Sequence, residues 1–155
     1  MMQIYLVQHG LAKSEEEDPA RPLTAAGREE VERVARAAAA AGMRLASILH
    51  SGKTRAQQTA EILAAHVEPV QGVHAVEGLD PRDEPERIRE RVEQADEALM
   101  LVGHLPHLSR LAALLLVGTP EREIVAFRNA GVVCLERQAG HLAVRWILTP
   151  ELAAP

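Results

Sequence analysis

The sequence predicts an α/β protein of three layers: a mostly parallel sheet with helices on both faces and an antiparallel hairpin at its C-terminal end. Short apolar runs alternate with segments of helical periodicity along most of the chain. The period then changes to two on either side of Ala139-Gly140, which is typical of a hairpin. Repeated strand and helix units favour parallel strands that are covered on both faces.

The first strand is predicted at Ile4–Val7, an apolar run closed by Gly10 and typical of a buried parallel strand. Thr24 is the predicted N-cap of the first helix, which ends at Gly42. Its inward residues share helical spacing: Val31, Val34, Ala35 and Ala38.

The second strand is predicted at Leu45–His50, and Ser51 is expected to cap the helix that follows. The buried stripe of that helix consists of Ala56, Thr59, Ala60 and Leu63. The stretch Val70–Val76 predicts a third strand. A loop rich in proline and acidic residues then leads to a helix that carries Ile88 and Val92 one turn apart.

Ala98–Val102 predicts a fourth buried strand, and Gly103-His104-Leu105-Pro106 turns from it into a helix. The inward residues of this helix are Leu108, Leu111, Ala112 and Leu115. The hairpin strands carry the alternating residues Val133 and Leu135, then Leu142, Val144, Trp146 and Leu148. Without an internal repeat or a long linker, residues 1–155 are expected to form one domain.

Composition and charge exclude several classes of protein. The net charge of -5 argues against general nucleic-acid binding, which requires clustered basic surface. The apolar start is too short for a signal peptide, and no later stretch is long enough to span a bilayer. Cys134 has no cysteine partner and is expected to pack as a small hydrophobic residue. We therefore expect a cytoplasmic protein without membrane contact.

Three chemically compatible side chains follow predicted strands. His9 comes after the first strand, Arg55 opens the helix after the second, and His104 comes after the fourth. Ligands of open α/β sheets bind at the carboxyl ends of the strands, so the fold is expected to bring these residues together. Imidazole can attack phosphorus, guanidinium can bind phosphoryl oxygens, and a second imidazole can donate a hydrogen bond to developing charge. This combination predicts phosphoryl transfer.

Four segments in order resemble the histidine phosphatase superfamily, and specifically its short phosphohistidine phosphatase group. They are Val7-Gln8-His9-Gly10, Arg21-Pro22-Leu23-Thr24 with Gly27, Ser51-Gly52-Lys53-Thr54-Arg55-Ala56-Gln57-Gln58-Thr59-Ala60, and Val102-Gly103-His104-Leu105-Pro106. The resemblance covers nearly the whole chain.

The resemblance implies a phosphoglycerate mutase-like fold and a role for each matched residue. His9 is the nucleophile that forms a covalent phosphohistidine, Arg55 binds the phosphoryl oxygens, and His104 steadies the transferring group. No metal or cofactor is implied. The residues expected to contact substrate are Gln8, Gly10, Lys13, Arg21, Ser51 and Leu105. For Arg21, an ion pair that fixes the loop before Thr24 is an equal alternative.

Gln8 departs from the family pattern, which usually has arginine at this position. The amide lacks the permanent charge that a guanidinium brings to a phosphate, and loss of one such donor costs roughly 3 to 4 kcal/mol in oxyanion sites. Lys13 or Lys53 is one possible source of compensating charge. The other is a reactive substrate such as phosphohistidine, whose labile phosphorus–nitrogen bond requires less stabilisation. Members of the short group include versions with Gln-His-Gly.

A general acid is predicted at Asp80, in the loop after the third strand where related phosphatases approach the leaving group. Asp83 and Glu84 compete for this role, although Asp83 is better interpreted as a helix cap.

The sequence also allows other functions. A binding module that retained the pocket but lost turnover through Gln8 is one alternative, and a phosphomonoesterase related to phosphoglycerate mutase is another. The short chain argues against the second, because it lacks insertions that would cover a small substrate. The expected partner is a phosphorylated protein, such as a phosphorelay histidine domain, or else a small phosphate compound. His104 and His107 alone do not make a metal site, and His107 is expected on a helix surface or at a cap.

Overall fold

Strands and helices alternate along the chain as far as a C-terminal hairpin. The computed structural model describes residues 2–155. In chain order the elements are β1 (Gln3–Gln8), α1 (Ala25–Ala40), β2 (Ser47–His50), α2 (Thr54–Val67), β3 (Val73–Ala75), α3 (Glu86–Gln94), β4 (Leu99–Gly103), α4 (His107–Val117), β5 (Val132–Gln138) and β6 (His141–Leu148).

The six strands form one mixed sheet in the order β3-β2-β4-β1-β5-β6. The first four in this order are parallel, whereas β5 runs antiparallel to β1 and β6 antiparallel to β5. The predicted α/β class and the antiparallel hairpin are therefore confirmed. Because β1, β2 and β4 are parallel neighbours, their carboxyl ends lie at one edge of the sheet.

Two apolar clusters cover the two faces of the sheet, since successive side chains of a strand point to opposite faces. Tyr5 and Val7 of β1 pack with residues of α1 and α2. Ile4 and Leu6 pack with residues of α3 and α4. Each cluster therefore lies between the sheet and one helix pair, which gives the predicted three layers.

The caps of the helices agree with the sequence only in part. Thr24 caps α1 as predicted, and its Oγ1 accepts a hydrogen bond from the Gly27 amide at 2.9 Å. The prediction for Ser51 was wrong, because α2 begins at Thr54 with Lys53 at the N-cap. The prediction for Asp83 was also wrong. Its Oδ2 accepts a hydrogen bond from the Asp80 amide at 2.9 Å and closes a turn ahead of α3.

Two further local expectations differ from the structure. The third strand is shorter than Val70–Val76, because β3 pairs with β2 over three residues at the edge of the sheet. His107 is completely buried in the first turn of α4 instead of lying on the helix surface. No helix within residues 2–155 combines the length and apolar character that crossing a membrane requires.

The tight hairpin agrees with its sequence signal. Ala139 and Gly140 join β5 to β6 with φ of 46° and 85°. Positive φ at both central residues is characteristic of the two-residue turn that matches the twist of antiparallel strands. Cys134 is fully buried in β5, as expected of a small hydrophobic residue.

Candidate active site

A cleft of about 500 Å³ lies at the carboxyl ends of β1 and β4 and beside the start of α2. It is lined by Gln8, His9, Leu11, Ala12, Arg21, Arg55, Pro81, Arg82, His104, Leu105, Pro106 and Asn129. The three residues predicted to carry the chemistry, His9, Arg55 and His104, therefore share one cavity. Their catalytic roles stay predictions.

His9 is held in a defined orientation immediately after β1. Its Nδ1 lies 2.7 Å from the carbonyl oxygen of Gly10, which accepts hydrogen bonds and cannot donate them. Burial, together with the nearby charges of Arg55 and Arg21, lowers the pKa of His9 to about 4. The imidazole is therefore neutral at pH 7 with its proton on Nδ1, and Nε2 keeps a free lone pair.

His104 lies beside His9 at the end of β4. The two ring centroids are 5.0 Å apart with planes inclined by 52°, and His104 is 1% exposed. Its Nε2 is 2.6 Å from the Oγ of Ser51. Burial lowers the pKa of His104 to about 3, and the charges of His9 and Arg55 act in the same direction. His104 is consequently a neutral hydrogen-bonding group in the free protein.

Of the three arginines that line the cleft, Arg55 and Arg21 are the two whose charges help to lower the pKa of His9. Arg55 projects from the second residue of α2, and its Nε is buried without a protein hydrogen-bond partner. Arg21 donates from Nε to the carbonyl oxygen of Lys13 at 3.0 Å, which leaves its terminal nitrogens free to bind a ligand. Arg21 makes no ion pair within residues 2–155, so the structure does not have the ion pair that was the alternative role of this residue. Guanidinium groups in a concave site favour a bound oxyanion.

Buried hydrogen bonds hold the His9 loop against α2. The Gly10 amide donates to the Thr59 hydroxyl at 3.0 Å, and that hydroxyl donates to the carbonyl oxygen of Arg55 at 2.8 Å. Gln58 Oε1 accepts a hydrogen bond from the Leu23 amide at 2.8 Å. These bonds fix the distance between the His9 loop and α2, the helix that carries Arg55.

Four of the residues predicted to act at the site lie outside the cleft lining. Gly10 supplies backbone contacts behind His9, and Ser51 contacts His104. Lys13 contributes its carbonyl oxygen to Arg21. Asp80 is exposed in the turn ahead of Pro81. Burial lowers the pKa of Arg55, and the charge of Asp80 partly opposes that lowering. Gln8, Arg21 and Leu105 line the cleft together with the three central residues.

Neither lysine proposed to replace the missing arginine charge lines the cleft. Lys53 is close enough for its charge to lower the pKa of His104, whereas Lys13 acts through its backbone. Gln8 keeps its Oε1 buried without a hydrogen-bond partner in the protein. Arg55 and Arg21 line the same cleft as Gln8 and bring positive charge close to His9.

Sequence reasoning missed Asn129, which lines the cleft from the segment ahead of β5. Its Nδ2 donates to the carbonyl oxygen of His9 at 2.9 Å, and the next amide, of Ala130, donates to Gln8 at 2.9 Å. An antiparallel strand begins where its neighbour ends, and β5 pairs with β1 in this way. That pairing was the available signal, since it places residue 129 next to residue 9.

Candidate metal ligands are not grouped in the structure. Among residues 2–155, no set of three or more His, Cys, Asp or Glu side chains is arranged to hold a metal ion. His104 and His107 are three residues apart in the chain, and no third side chain within residues 2–155 completes a metal site with them.

A neutral imidazole with a free lone pair, set beside two guanidinium groups at the strand ends, defines an α/β protein with a phosphoryl-transfer site. The model of the histidine phosphatase superfamily (branch 1) matches residues 4–84, which is 81 of the 155 residues. An uncharacterized protein of Picosynechococcus sp. is 34% identical over 148 residues, covering 91% of this chain and 88% of that protein. The chain belongs to the histidine phosphatase superfamily and is a hydrolase of the phosphatase type.

Solved structures show the same fold. The protein histidine phosphatase SixA complexed with tungstate superimposes with a TM-score of 0.83 at 22% identity, over 96% of this chain and 97% of that one. The alpha-ribazole phosphatase from Shigella flexneri gives 0.77 at 16% identity, over 99% and 100% of the two chains. These likenesses establish the phosphoglycerate mutase-like architecture, and the substrate needs a separate argument.

Proposed function

We propose that the protein removes the phosphoryl group from phosphohistidine in another protein, through a covalent phosphohistidine on His9 and without a metal ion. The observation that supports this most is the state of His9: neutral, protonated on Nδ1, and lining one cleft with Arg55 and His104. A neutral imidazole needs no base to become a nucleophile.

In the first step, Nε2 of His9 attacks phosphorus, and the bond between phosphorus and the substrate imidazole nitrogen breaks. The leaving imidazole takes a proton, for which Asp80 is the proposed donor, because Pro81 and Arg82 of the same loop line the cleft. In the second step, water attacks the phosphoryl group on His9 and gives a proton to the Asp80 carboxylate that the first step left, which restores the acid. Inorganic phosphate leaves and the free lone pair of Nε2 is restored.

Charge stabilisation in both steps comes from groups that surround the transferring phosphoryl oxygens. Arg55 and Arg21 supply permanent positive charge, and His104 supplies a hydrogen bond that strengthens as negative charge accumulates. Gln8 supplies only an amide, which makes the site weaker than one with a third guanidinium. A labile phosphorus–nitrogen bond tolerates that weakness better than a phosphate ester does, and this favours phosphohistidine as the substrate.

The test is hydrolysis of a histidine-phosphorylated protein in the presence of a metal chelator. We expect phosphate release by the parent protein and none by His9→Ala, which should also lose the labelled enzyme intermediate. His141→Ala is the matched control, because His141 is exposed on β6. Binding without any hydrolysis by the parent would identify a binding module instead. Activity that the chelator abolishes would contradict the metal-free mechanism.

A preference for small phosphate esters over the phosphorylated protein would favour the phosphomonoesterase alternative. SixA is a protein histidine phosphatase, whereas the Shigella flexneri relative acts on alpha-ribazole phosphate as its name states, and the two share this fold. Kinetics with both classes of substrate therefore decide the matter. A phosphorylated partner protein of a phosphorelay would place the reaction in the cytoplasm.

A further inference from the structure

The mouth of the cleft carries apolar side chains that remain in contact with solvent. Leu11 and Leu105 line the cleft but are 46% and 40% exposed. Leu11 lies two residues after His9, and Leu105 directly follows His104. Exposed leucines beside a polar floor offer an apolar contact surface to whatever binds there.

Leu11 is presented on a rigid backbone. Its carbonyl oxygen accepts hydrogen bonds from the Thr24 amide at 2.9 Å and from the Thr24 hydroxyl at 3.3 Å. A Cβ built at Gly27 would lie 2.2 Å from that same oxygen, so α1 packs directly against this segment. A contact held in place before binding costs little conformational entropy when the partner arrives.

One uncommitted cation stands at the mouth. Arg82 lines the cleft, is exposed, and makes no hydrogen bond or ion pair within residues 2–155. Two acidic neighbours on its loop are engaged elsewhere, Asp83 with the Asp80 amide and Glu84 with Arg110 at 3.7 Å, and the Asp80 carboxylate is assigned to the proton transfer proposed above. Because Arg82 is exposed while it lines the cleft, we place it at the rim and not at the floor.

One uncommitted anion accompanies it. Glu15 is exposed and has no hydrogen bond or ion pair in the part of the chain that the structure describes. Its charge partly opposes the lowering of the Arg55 pKa that burial causes. The nearby Glu17 is bound instead to the amide and hydroxyl of Ser14. Arg82 shares the cleft lining with the two leucines, and Glu15, four residues after Leu11 in the chain, adds a free negative charge.

We infer that this rim, consisting of Leu11, Leu105, Arg82 and Glu15, is the docking surface for the phosphorylated protein. The inference rests on the proposed function and extends it to recognition. Apolar side chains next to the phosphorylated residue would cover the two leucines. An acidic group of the partner would pair with Arg82 and a basic group with Glu15. A small phosphate compound seated on the floor lacks the size to cover both leucines and pair with both charges, which favours a protein.

The deciding quantity is the ratio of kcat/KM for a histidine-phosphorylated phosphotransfer domain to kcat/KM for the phosphoramidate ion. Docking at the rim predicts that Leu11→Ser lowers this ratio about ten-fold, because rim contacts reach the protein substrate alone. Glu15→Lys should lower the ratio as well, with the loss reduced at high salt. The phosphoramidate rate shows in each case that the variant is folded.

Controls come from exposed residues elsewhere. Val70→Ser and Leu152→Ser change side chains that are 88% and 73% exposed and are absent from the cleft lining, and they should leave the ratio unchanged. Glu16→Lys is the control for Glu15→Lys. An unchanged ratio in Leu11→Ser and Glu15→Lys, with the parent hydrolysing both substrates, would overturn the docking surface and leave the proposed function standing.

A binding measurement keeps the inference testable apart from turnover. His9→Ala should bind the phosphorylated phosphotransfer domain, and adding Leu11→Ser should weaken that dissociation constant about ten-fold. Equal affinity of His9→Ala with and without Leu11→Ser would overturn the docking surface, whatever the rate of hydrolysis. If the parent did not hydrolyse the phosphorylated domain, but Leu11→Ser still weakened binding by His9→Ala, the proposed function alone would be overturned.

Discussion

At the scale of single residues, the protonation state of His9 governs the chemistry. The Gly10 carbonyl oxygen holds the proton on Nδ1, while burial and two guanidinium groups remove the second proton from the imidazole at neutral pH. In the proposed mechanism, the environment that would bind an oxyanion therefore also keeps His9 neutral. The lowered pKa is a consequence of the site's positive charge and its limited contact with water.

The pH dependence of the reaction should reflect this state. The rate of phosphoenzyme formation is expected to rise with pH through about 4, because protonated His9 has no lone pair on Nε2. The measurement is kcat/KM against pH, with the His9→Ala rate subtracted to remove acid hydrolysis of the substrate. A midpoint near the ordinary histidine pKa of about 6.5 would contradict it.

Gln8 allows a direct test of the missing charge. Gln8→Arg should raise kcat on an aryl phosphate ester by about ten-fold or more, because a guanidinium in the cleft stabilises the transferring oxygens better than an amide does. The gain on phosphohistidine should be smaller, since its bond is more labile. Gln138→Arg, at the far end of β5, adds the same charge away from the cleft and serves as control. Equal ester rates for parent and Gln8→Arg would refute this account.

Ser51 should act through His104. The 2.6 Å contact between Ser51 Oγ and His104 Nε2 orients a ring whose Nδ1 has no hydrogen-bond partner in the protein. We expect Ser51→Ala to lower kcat about ten-fold with little change in KM, and Ser51→Thr to retain most activity. The NMR titration of His104 should also change in Ser51→Ala. An unaltered titration would show that the hydroxyl serves packing only.

At the scale of elements, the sequence predicted strands correctly where the local pattern of apolar residues matched the burial of the strand in the fold. The runs at β1 and β4 are buried on both faces, so an uninterrupted apolar sequence is what their surroundings require. The predicted caps at Ser51 and Asp83 were wrong because both side chains have other partners. Ser51 contacts His104 from a distant segment, and Asp83 accepts a hydrogen bond from the Asp80 amide within a turn. A cap signal records what a side chain can bind locally and is silent about such competitors.

The contact between α1 and the His9 loop depends on a glycine. A Cβ at Gly27 would lie 2.2 Å from the Leu11 carbonyl oxygen and 3.0 Å from its carbon, and backbone atoms cannot move aside as a flexible side chain can. Gly27→Ala should reduce the free energy of unfolding by about 2 to 3 kcal/mol. It should also lower phosphatase activity by displacing the loop that carries His9.

Chemical denaturation measures the stability effect. Gly103→Ala is the comparison variant, because its added Cβ would approach no atom closer than 3.5 Å. If Gly27→Ala proved no less stable than Gly103→Ala, the close packing of α1 on this loop would be disproved.

At the scale of the whole molecule, the sheet order explains which site residues could be predicted. His9, Arg55 and His104 follow parallel strands, and the rule that ligands bind at their carboxyl ends brings them together without knowledge of the strand order. Asn129 precedes an antiparallel strand and falls outside that rule. Arg82 and Leu11 belong to loops whose course depends on tertiary contacts such as that of Gly27 with Leu11. The meeting of His9, Arg55 and His104 in one cleft was therefore predictable, whereas Leu105 was the only rim residue that the sequence indicated.

The whole fold should also lose stability as the pH falls, because burial lowers the pKa values of His9, His50, His104 and His107 together. Below pH about 6.5 the unfolded chain binds protons that the folded chain does not bind, so the free energy of unfolding falls by up to about 1.4 kcal/mol per pH unit for each of His9 and His104. The loss continues until the folded-state values are reached, about 4 for His9 and about 3 for His104. Urea denaturation between about pH 5 and 7 isolates this effect, because carboxyl groups stay largely ionised there. His104→Asn should reduce the slope by about one proton, whereas His141→Asn, at an exposed position, should leave it unchanged. A slope that is identical in His104→Asn and the parent would mean that His104 is not held neutral by the fold.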